Sequence, residues 1–182
     1  ENCCDIESVV IPSSVKKIEE NAFKGCINLK TISIPDSVNI IPAGCFNGCI
    51  ELTKVELPST ITKISNDAFS NCCNLIDILI SDVVTEIGSS AFHNCSNLCK
   101  IQIPDSVIEI GPSAFEGCRS LESINLSQKI KYINCNTFRG CELLNKIWIP
   151  KNVAIIGSEA FGGCENMSIV AIQSNHIKID PT

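Results

Sequence analysis

Apolar residues recur along the whole chain with a single period of 23 residues. The phenylalanines mark this period, and all seven of them obey it: Phe23, Phe46, Phe69, Phe92, Phe115, Phe138 and Phe161. Each is followed after three residues by a cysteine, and after six by a leucine or, in the last unit, a methionine. Because self-similarity at a fixed period of this length is the signature of repeat architectures, the chain is predicted to be a solenoid of stacked coils.

Within one repeat unit the pattern predicts three elements. Residues 31–34 alternate between polar and apolar side chains, as in a short strand with its isoleucines directed inward. Pro35 ends this strand, and Ile41 belongs to a second short extended piece. Residues 21–26 carry Phe23 and are predicted to form a tight helical or 3₁₀ turn, with Gly25 in a left-handed conformation.

The units are expected to stack because one coil alone cannot offset the conformational entropy of ordering its backbone. We therefore predict an α/β solenoid of about seven to eight 23-residue coils, rich in β structure, in a single domain over residues 1–182. A parallel sheet is expected on its concave face, with short helical or 3₁₀ turns elsewhere. Neither end carries a polar capping segment, so the chain is expected to be part of a longer array.

The repeated motif resembles that of the BspA-like, or Treponema-type, leucine-rich repeats, and the resemblance covers essentially all 182 residues. In one unit the motif consists of Ala22, Phe23, Cys26, Leu29, Ile32, Ile34, Pro35, Val38 and Ile41. The commonest leucine-rich repeats differ, because they carry asparagine or cysteine shortly after the strand. The resemblance implies a curved solenoid with a parallel sheet. It also implies a surface protein of a bacterium or protist that adheres to host proteins or cells.

Charge and hydropathy narrow the classes of partner. The net charge is −6 and the sequence pI is about 4.9, whereas a nucleic-acid or anionic-membrane partner favours a basic surface. No apolar run approaches the roughly 20 residues that a membrane-spanning helix needs. A protein partner is therefore expected, with no nucleic acid and no direct insertion of this segment into a membrane.

The thirteen cysteines are interpreted as structural. Eight follow the repeat, and we call them the cysteine ladder: Cys3, Cys26, Cys49, Cys72, Cys95, Cys118, Cys141 and Cys164. Free cysteine packs as a small apolar residue, and parallel side-chain directions disfavour disulfide geometry between coils. Outside the ladder, Cys45 is expected to be buried and Cys99 exposed.

No pattern in the sequence indicates catalysis, a cofactor or a metal site. Phosphate-binding and nucleophile motifs are absent from the sequence, and the cysteine spacing follows the repeat rather than paired metal ligands. A catalytic pair of His93 and Cys95 is disfavoured because no second histidine lies near them in the repeat. The chain is predicted not to be an enzyme.

Two columns of the strand are directed outward, and they vary from unit to unit while the inward columns barely change. The first is Ser8, Thr31, Lys54, Asp77, Lys100, Ser123, Lys146 and Ile169. The second is Val10, Ser33, Glu56, Leu79, Gln102, Asn125, Trp148 and Ala171. Lys54, Asp77 and Lys100 are expected to pair across strands.

The only tryptophan of the chain, Trp148, belongs to this variable face. Tryptophan is enriched among the residues that dominate binding energy, so a partner-binding patch is predicted around it. The candidate residues are Trp148, Lys146, Asn125, Ile169, Ala171, Gln102 and Leu79. The alternatives are a tryptophan that lies flat on its neighbours and one that contacts another copy of the chain, in a crystal or an oligomer.

Two functional hypotheses follow. The first is a cell-surface or secreted adhesion and protein-recognition array that binds a host extracellular or surface protein. The second is a cytoplasmic scaffold or regulatory interaction module, for which reduced cysteines and an acidic pI are natural.

Overall fold

The computed structural model describes residues 5–172 and 178–179, and the side chains of residues 5–168. In this part of the chain fifteen short strands form, in the following order. They are β1 (Ser8–Val10), β2 (Thr31–Ser33), β3 (Ile40–Ile41), β4 (Lys54–Glu56), β5 (Lys63–Ile64), β6 (Asp77–Ile78), β7 (Glu86–Ile87), β8 (Lys100–Ile101), β9 (Glu109–Ile110), β10 (Ser123–Asn125), β11 (Tyr132–Ile133), β12 (Lys146–Ile149), β13 (Ile155–Ile156), β14 (Ile169–Ile172) and β15 (Lys178–Ile179).

The strands form two parallel series that run along the stack. The first series pairs as β1-β2-β4, β6-β8 and β10-β12-β14, and a bridge between Gln102 and Asn125 connects its last two parts. The second series pairs as β3-β5-β7-β9 and β11-β13-β15. We call the outward side of the first series, at positions equivalent to Thr31 and Ser33, the first sheet face. The second sheet face is the outward side of the second series, at positions equivalent to Asn39 and Ile40.

The core is a continuous row of equivalent apolar side chains, as the period predicts. The seven phenylalanine rings stack from Phe23 to Phe161, with neighbouring centroids 5.3–5.7 Å apart and ring planes within 10° of parallel. The five inner rings are fully buried. Such contacts between aromatic rings contribute beyond the area they bury, so this row fixes the register of each coil on the next.

The turn that carries the phenylalanine differs from the prediction, because no helix forms in the described part of the chain. The N–H groups of Phe23 and Gly25 donate to Cys45 and Asn47 of the next coil, at 2.9 and 2.8 Å. The N–H of Lys24, which lies between them, instead bonds within its own coil, to the carbonyl of Asn21. Since every second N–H is taken by the neighbouring coil, successive helical bonds cannot form. The expected helical turns and the α/β class are therefore not confirmed, and the fold is a parallel β-solenoid.

These inter-coil bonds continue in three parallel rows. The rows start at the N–H groups of Asn21, Phe23 and Gly25, and each donor of one coil meets a carbonyl of the following coil at 2.7–3.0 Å. In the third row, for example, Gly117 donates to Arg139 and Gly140 to Gly162. The peptide groups of the turns thereby connect neighbouring coils, in addition to the two series of strands.

Two left-handed residues bracket each turn. The glycine before the ladder cysteine is one of them, with φ of 71° at Gly25, and Asn71 and Asn94 take the same conformation in their coils, as predicted. The second was not predicted and lies two residues before the phenylalanine, for example at Ser113 with φ of 55°. A left-handed conformation costs a non-glycine residue roughly 1–2 kcal/mol, and here the inter-coil bonds on both sides hold it.

Candidate functional site

The first sheet face presents the variable columns to solvent, because each strand of the series alternates. In β2 and β4 the central residue is buried, while Thr31, Ser33, Lys54 and Glu56 are exposed. The parallel register brings equivalent positions of successive coils side by side, as between Ser33 and Glu56. The face is therefore a continuous surface whose chemistry changes from coil to coil.

The predicted binding residues occupy neighbouring positions on this face. Trp148 pairs with Asn125 on one side and with Ala171 on the other, while Lys146 pairs with Ile169. The side chains of Ile169 and Ala171 lie outside the described residues, so only their backbone positions are assigned. Trp148 is 52 % exposed, which leaves a large part of its ring available to a partner.

The other two candidate residues extend the same column. Gln102 bridges to Asn125, and Leu79 follows β6, which pairs with β8. Leu79 is 77 % exposed, and with Gln102 it borders a shallow depression of about 230 Å³. The register thus assembles Leu79, Gln102, Asn125 and Trp148 into one line across successive coils. That this line binds a partner stays a prediction.

Charges on this face pair differently from the expectation. The Lys54 ammonium contacts the Glu56 carboxylate at 2.8 Å, two residues along its own strand. This contact raises the pKa of Lys54 and lowers the pKa of Glu56. Asp77 on the next strand adds a weaker attraction to Lys54. The direct partner of Lys54 therefore lies along the strand rather than across it.

The ladder cysteines are bound into the backbone. From Cys49 to Cys164 the ladder thiols donate to the carbonyl oxygen of the phenylalanine in the preceding coil at 3.0–3.2 Å, for example Cys95 to Phe69 and Cys118 to Phe92. Burial raises the pKa of these thiols, that of Cys49 to about 12. A protonated, hydrogen-bonded and buried thiol is neither a nucleophile nor a metal ligand. Cys3 lies outside the described residues.

Cysteines outside the ladder vary in exposure. Cys45 is buried, as predicted. Cys99 is half-buried rather than exposed, because its thiol lies against the carbonyl of Ile76 in the preceding coil. Cys135 is the exposed one among the described cysteines.

The described residues contain neither a cluster of metal ligands nor a membrane-spanning helix. Among them, no group of three or more histidine, cysteine or acidic side chains could hold a metal ion. A search of the same residues finds no helix of the length and apolarity needed to cross a membrane.

Sequence reasoning missed a groove on the second sheet face, which Ile108 and Tyr132 border. Both side chains are more than half exposed. The signal was present in the sequence, since the only tyrosine of the chain is directed outward by the strand alternation around Ile133.

Comparison with known proteins identifies the repeat. A family model described as the BspA type leucine-rich repeat region matches residues 1–92 and 62–182, in six copies. The expected count of seven to eight coils is thus not confirmed. No curated protein matches the sequence.

Solved structures share the fold. A leucine-rich-repeat protein from T. pallidum is 31 % identical, with a TM-score of 0.82 over 89 % of this chain and 78 % of that chain. A leucine-rich-repeat protein from Bacteroides ovatus is 24 % identical, with a TM-score of 0.65 over 97 % of this chain and 55 % of that chain. The second likeness concerns the fold alone.

Proposed function

The chain belongs to the family of BspA-type leucine-rich repeats, and we propose that it recognises a partner protein through its first sheet face. Leucine-rich repeats are a non-enzymatic repeat fold and generally serve protein interaction. A role in binding is therefore favoured over catalysis.

The contrast between the inside and the outside of the repeat carries this proposal. Inward positions keep one type of side chain through the stack, as the leucine column from Leu29 to Leu144 does. Outward positions of the strands change in size, polarity and charge, as Glu56, Leu79 and Trp148 do at one position. Packing fixes the inward residues, whereas nothing in the fold requires a tryptophan or a leucine on an exposed strand face.

The binding patch that we propose consists of Trp148, Lys146, Asn125, Ile169, Ala171, Gln102 and Leu79. Within it the exposed apolar side chains of Trp148 and Leu79 stand among polar ones, which is the composition of a protein interface core with a polar rim. Trp148 is assigned the main share of the binding energy, because a half-exposed tryptophan gains most from being covered.

We further propose that the domain acts in adhesion, as part of a cell-surface or secreted protein that binds a host extracellular or surface protein. The family resemblance supports this location. A binding screen of the purified chain against extracellular matrix and host-surface proteins tests it. Any partner that binds the patch should bind Trp148→Ala at least roughly tenfold more weakly.

Leu143→Ala is the matched control for that experiment, because Leu143 is 46 % exposed but lies on the turn side of the stack. Both substitutions remove an exposed apolar side chain, so neither should unfold the domain. A partner whose affinity falls equally with both variants, or with neither, would show that binding does not use this patch.

A second candidate function is an intracellular scaffold or regulatory interaction module. Two observations favour it, because disulfides are rare in reducing compartments: the pI is acidic, and five buried ladder cysteines form no disulfide, namely Cys49, Cys72, Cys95, Cys118 and Cys141. Fractionation of cells that express the full-length protein distinguishes the two. Recovery in the cytosol supports the scaffold, and recovery at the surface or in the medium supports adhesion.

A further inference from the structure

The groove on the second sheet face has a volume of about 450 Å³ and lies between the coils that carry β9 and β11. Its apolar part comes from Ile108 and Tyr132, which are 57 % and 51 % exposed. Lys129 and Lys131 border it, together with one acidic residue, Glu109. The groove therefore places two lysines beside an apolar depression on a chain of net charge −6.

These lysines have no acidic partner among the described side chains. Elsewhere on the same face the Lys63 ammonium, on β5, contacts the Glu86 carboxylate, on β7, at 2.7 Å. Neither Lys129 nor Lys131 takes part in such a pair within the described residues. Their charges are therefore available to an outside carboxylate.

A comparison of coils within the chain shows that the charge reverses at this place. The position after the proline column, in which Ser81 and Ser127 replace proline, is aspartate at Asp36, Asp82 and Asp105. It is serine in two coils nearer the N-terminus, at Ser13 and Ser59. The two coils after that of Asp105 carry Gln128 and Lys151 there. Packing does not require this reversal, because the position is exposed in these coils. The coils next to the groove therefore lack the aspartate that three preceding coils carry at this position.

From this coincidence we propose that the groove docks an acidic peptide segment of a partner protein. One apolar side chain of the segment would pack between Ile108 and Tyr132, and carboxylates beside it would meet Lys129 and Lys131. Complementary charges of this kind give specificity and speed association. A nucleic acid fits less well, because it would bring an extended polyanion onto an acidic protein and against Glu109. This inference does not depend on the first sheet face.

The chain provides one spectroscopic reporter for each face, since it has a single tyrosine and a single tryptophan. Incorporation of fluorotyrosine labels Tyr132 in the groove, and fluorotryptophan labels Trp148 on the first sheet face. Fluorine NMR then gives one resonance for each face. The probe is a short synthetic peptide with a central phenylalanine flanked by glutamates. Its counterpart, with lysine in place of each glutamate, tests the contribution of charge.

The glutamate peptide is expected to shift the Tyr132 resonance and to leave the Trp148 resonance unchanged. The lysine peptide should not shift Tyr132. Reversal of both groove charges, Lys129→Glu with Lys131→Glu, should weaken binding roughly tenfold or more, and added salt should weaken binding to the unmodified chain. Lys16→Glu is the matched control, because Lys16 occupies the same column as Lys131 in a distant coil and is exposed. It should leave the affinity unchanged.

Several results would overturn the proposal. One is a Tyr132 resonance that does not respond to the glutamate peptide, and another is equal binding of both peptides. A third is a Tyr132 resonance that shifts with protein concentration alone and loses this dependence in the double variant. The groove would then be an interface between two copies of the chain. If no partner is found for the first sheet face, these experiments still test the groove, because Tyr132 and Trp148 carry different labels.

Discussion

The Cys72 thiol donates a hydrogen bond to the carbonyl oxygen of Phe46 at 3.1 Å. The same oxygen accepts the N–H of Cys49, from its own coil, at 3.0 Å. One carbonyl thereby receives two donors, and the thiol supplies the one that comes from the next coil. This explains why the repeat places cysteine three residues after phenylalanine, where another small apolar residue would fill the space without donating.

We expect Cys95→Ala to lower the free energy of unfolding by about 1–3 kcal/mol, because it removes a buried sulfur and an inter-coil donor. Chemical denaturation followed by circular dichroism measures the change. Cys135→Ala is the control, since Cys135 is exposed, and its effect should stay within about 0.5 kcal/mol. Equal effects of the two substitutions would contradict a structural role for the ladder thiol.

The raised thiol pKa values predict a loss of stability in alkali. Burial raises the pKa of Cys49 from 9.0 to about 12, and raises the pKa of Cys72 and Cys95 in the same direction. As the pH rises above 9.0, thiols of the unfolded chain lose protons while the folded thiols keep theirs. The free energy of unfolding should therefore be insensitive to these thiols below pH 9.0 and fall as the pH rises toward 12.

Urea titrations at a series of alkaline pH values check this prediction. Cys49→Ser removes one of the titrating thiols and keeps a hydroxyl donor in its place. Its unfolding free energy should fall less steeply with pH than that of the unmodified chain. An identical slope for both proteins would show that the ladder thiols do not cause the alkaline loss.

Substitutions at Gly140 separate backbone strain from crowding. Its φ is 70°, and a Cβ built there would meet its nearest neighbour, Gly117 Cα, at an ordinary 3.8 Å. Gly140→Ala should therefore destabilise the fold by roughly 1–2 kcal/mol through its conformation alone. Gly140→Asn should cost less, since Asn71 and Asn94 occupy the equivalent position. Thermal unfolding of the two variants measures the difference, and the opposite ranking would contradict the conformational explanation.

The phenylalanine row predicts a gradient of effects along the stack. Phe92 is fully buried between Phe69 and Phe115, each ring 5.4 Å away, so Phe92→Ala should cost about 3–5 kcal/mol. Phe23 is only half-buried and stacks on Phe46 alone among the described rings. Phe23→Ala should cost distinctly less. Similar losses for both variants, measured by denaturation, would indicate that the rings contribute independently of their neighbours.

The inward residues and the register were predictable from sequence, because a fixed period leaves one way to superpose equivalent side chains. The left-handed conformation of Gly25 was also predictable, because glycine or asparagine recurs at that position of the repeat. The turn around Phe23 was not, since apolar spacing does not reveal which N–H groups bond to the next coil. Local propensity favoured a helical turn there, and the inter-coil bonds override it.

The candidate sites were predictable only in part. Strand alternation alone places Trp148 and Leu79 outside, so the line of residues on the first sheet face follows from the repeat. The pairing of Lys54 with Glu56 does not follow, because Lys54 has one acidic neighbour along its strand, Glu56, and another on the next strand, Asp77. Strand alternation does not choose between them. The groove beside Tyr132 was missed because it combines residues from separate columns of the repeat.

The three rows of hydrogen bonds in the turns align their peptide dipoles along the axis of the stack. Each peptide group in a row, such as that between Lys24 and Gly25, points its N–H toward the following coil. Strand dipoles alternate and largely cancel, whereas these aligned groups add as they do in an α-helix. The solenoid therefore carries a macrodipole without containing a helix in its described part. Its coil-to-coil surfaces are complementary in one orientation only, so that a unit stacked upside down would meet donor with donor.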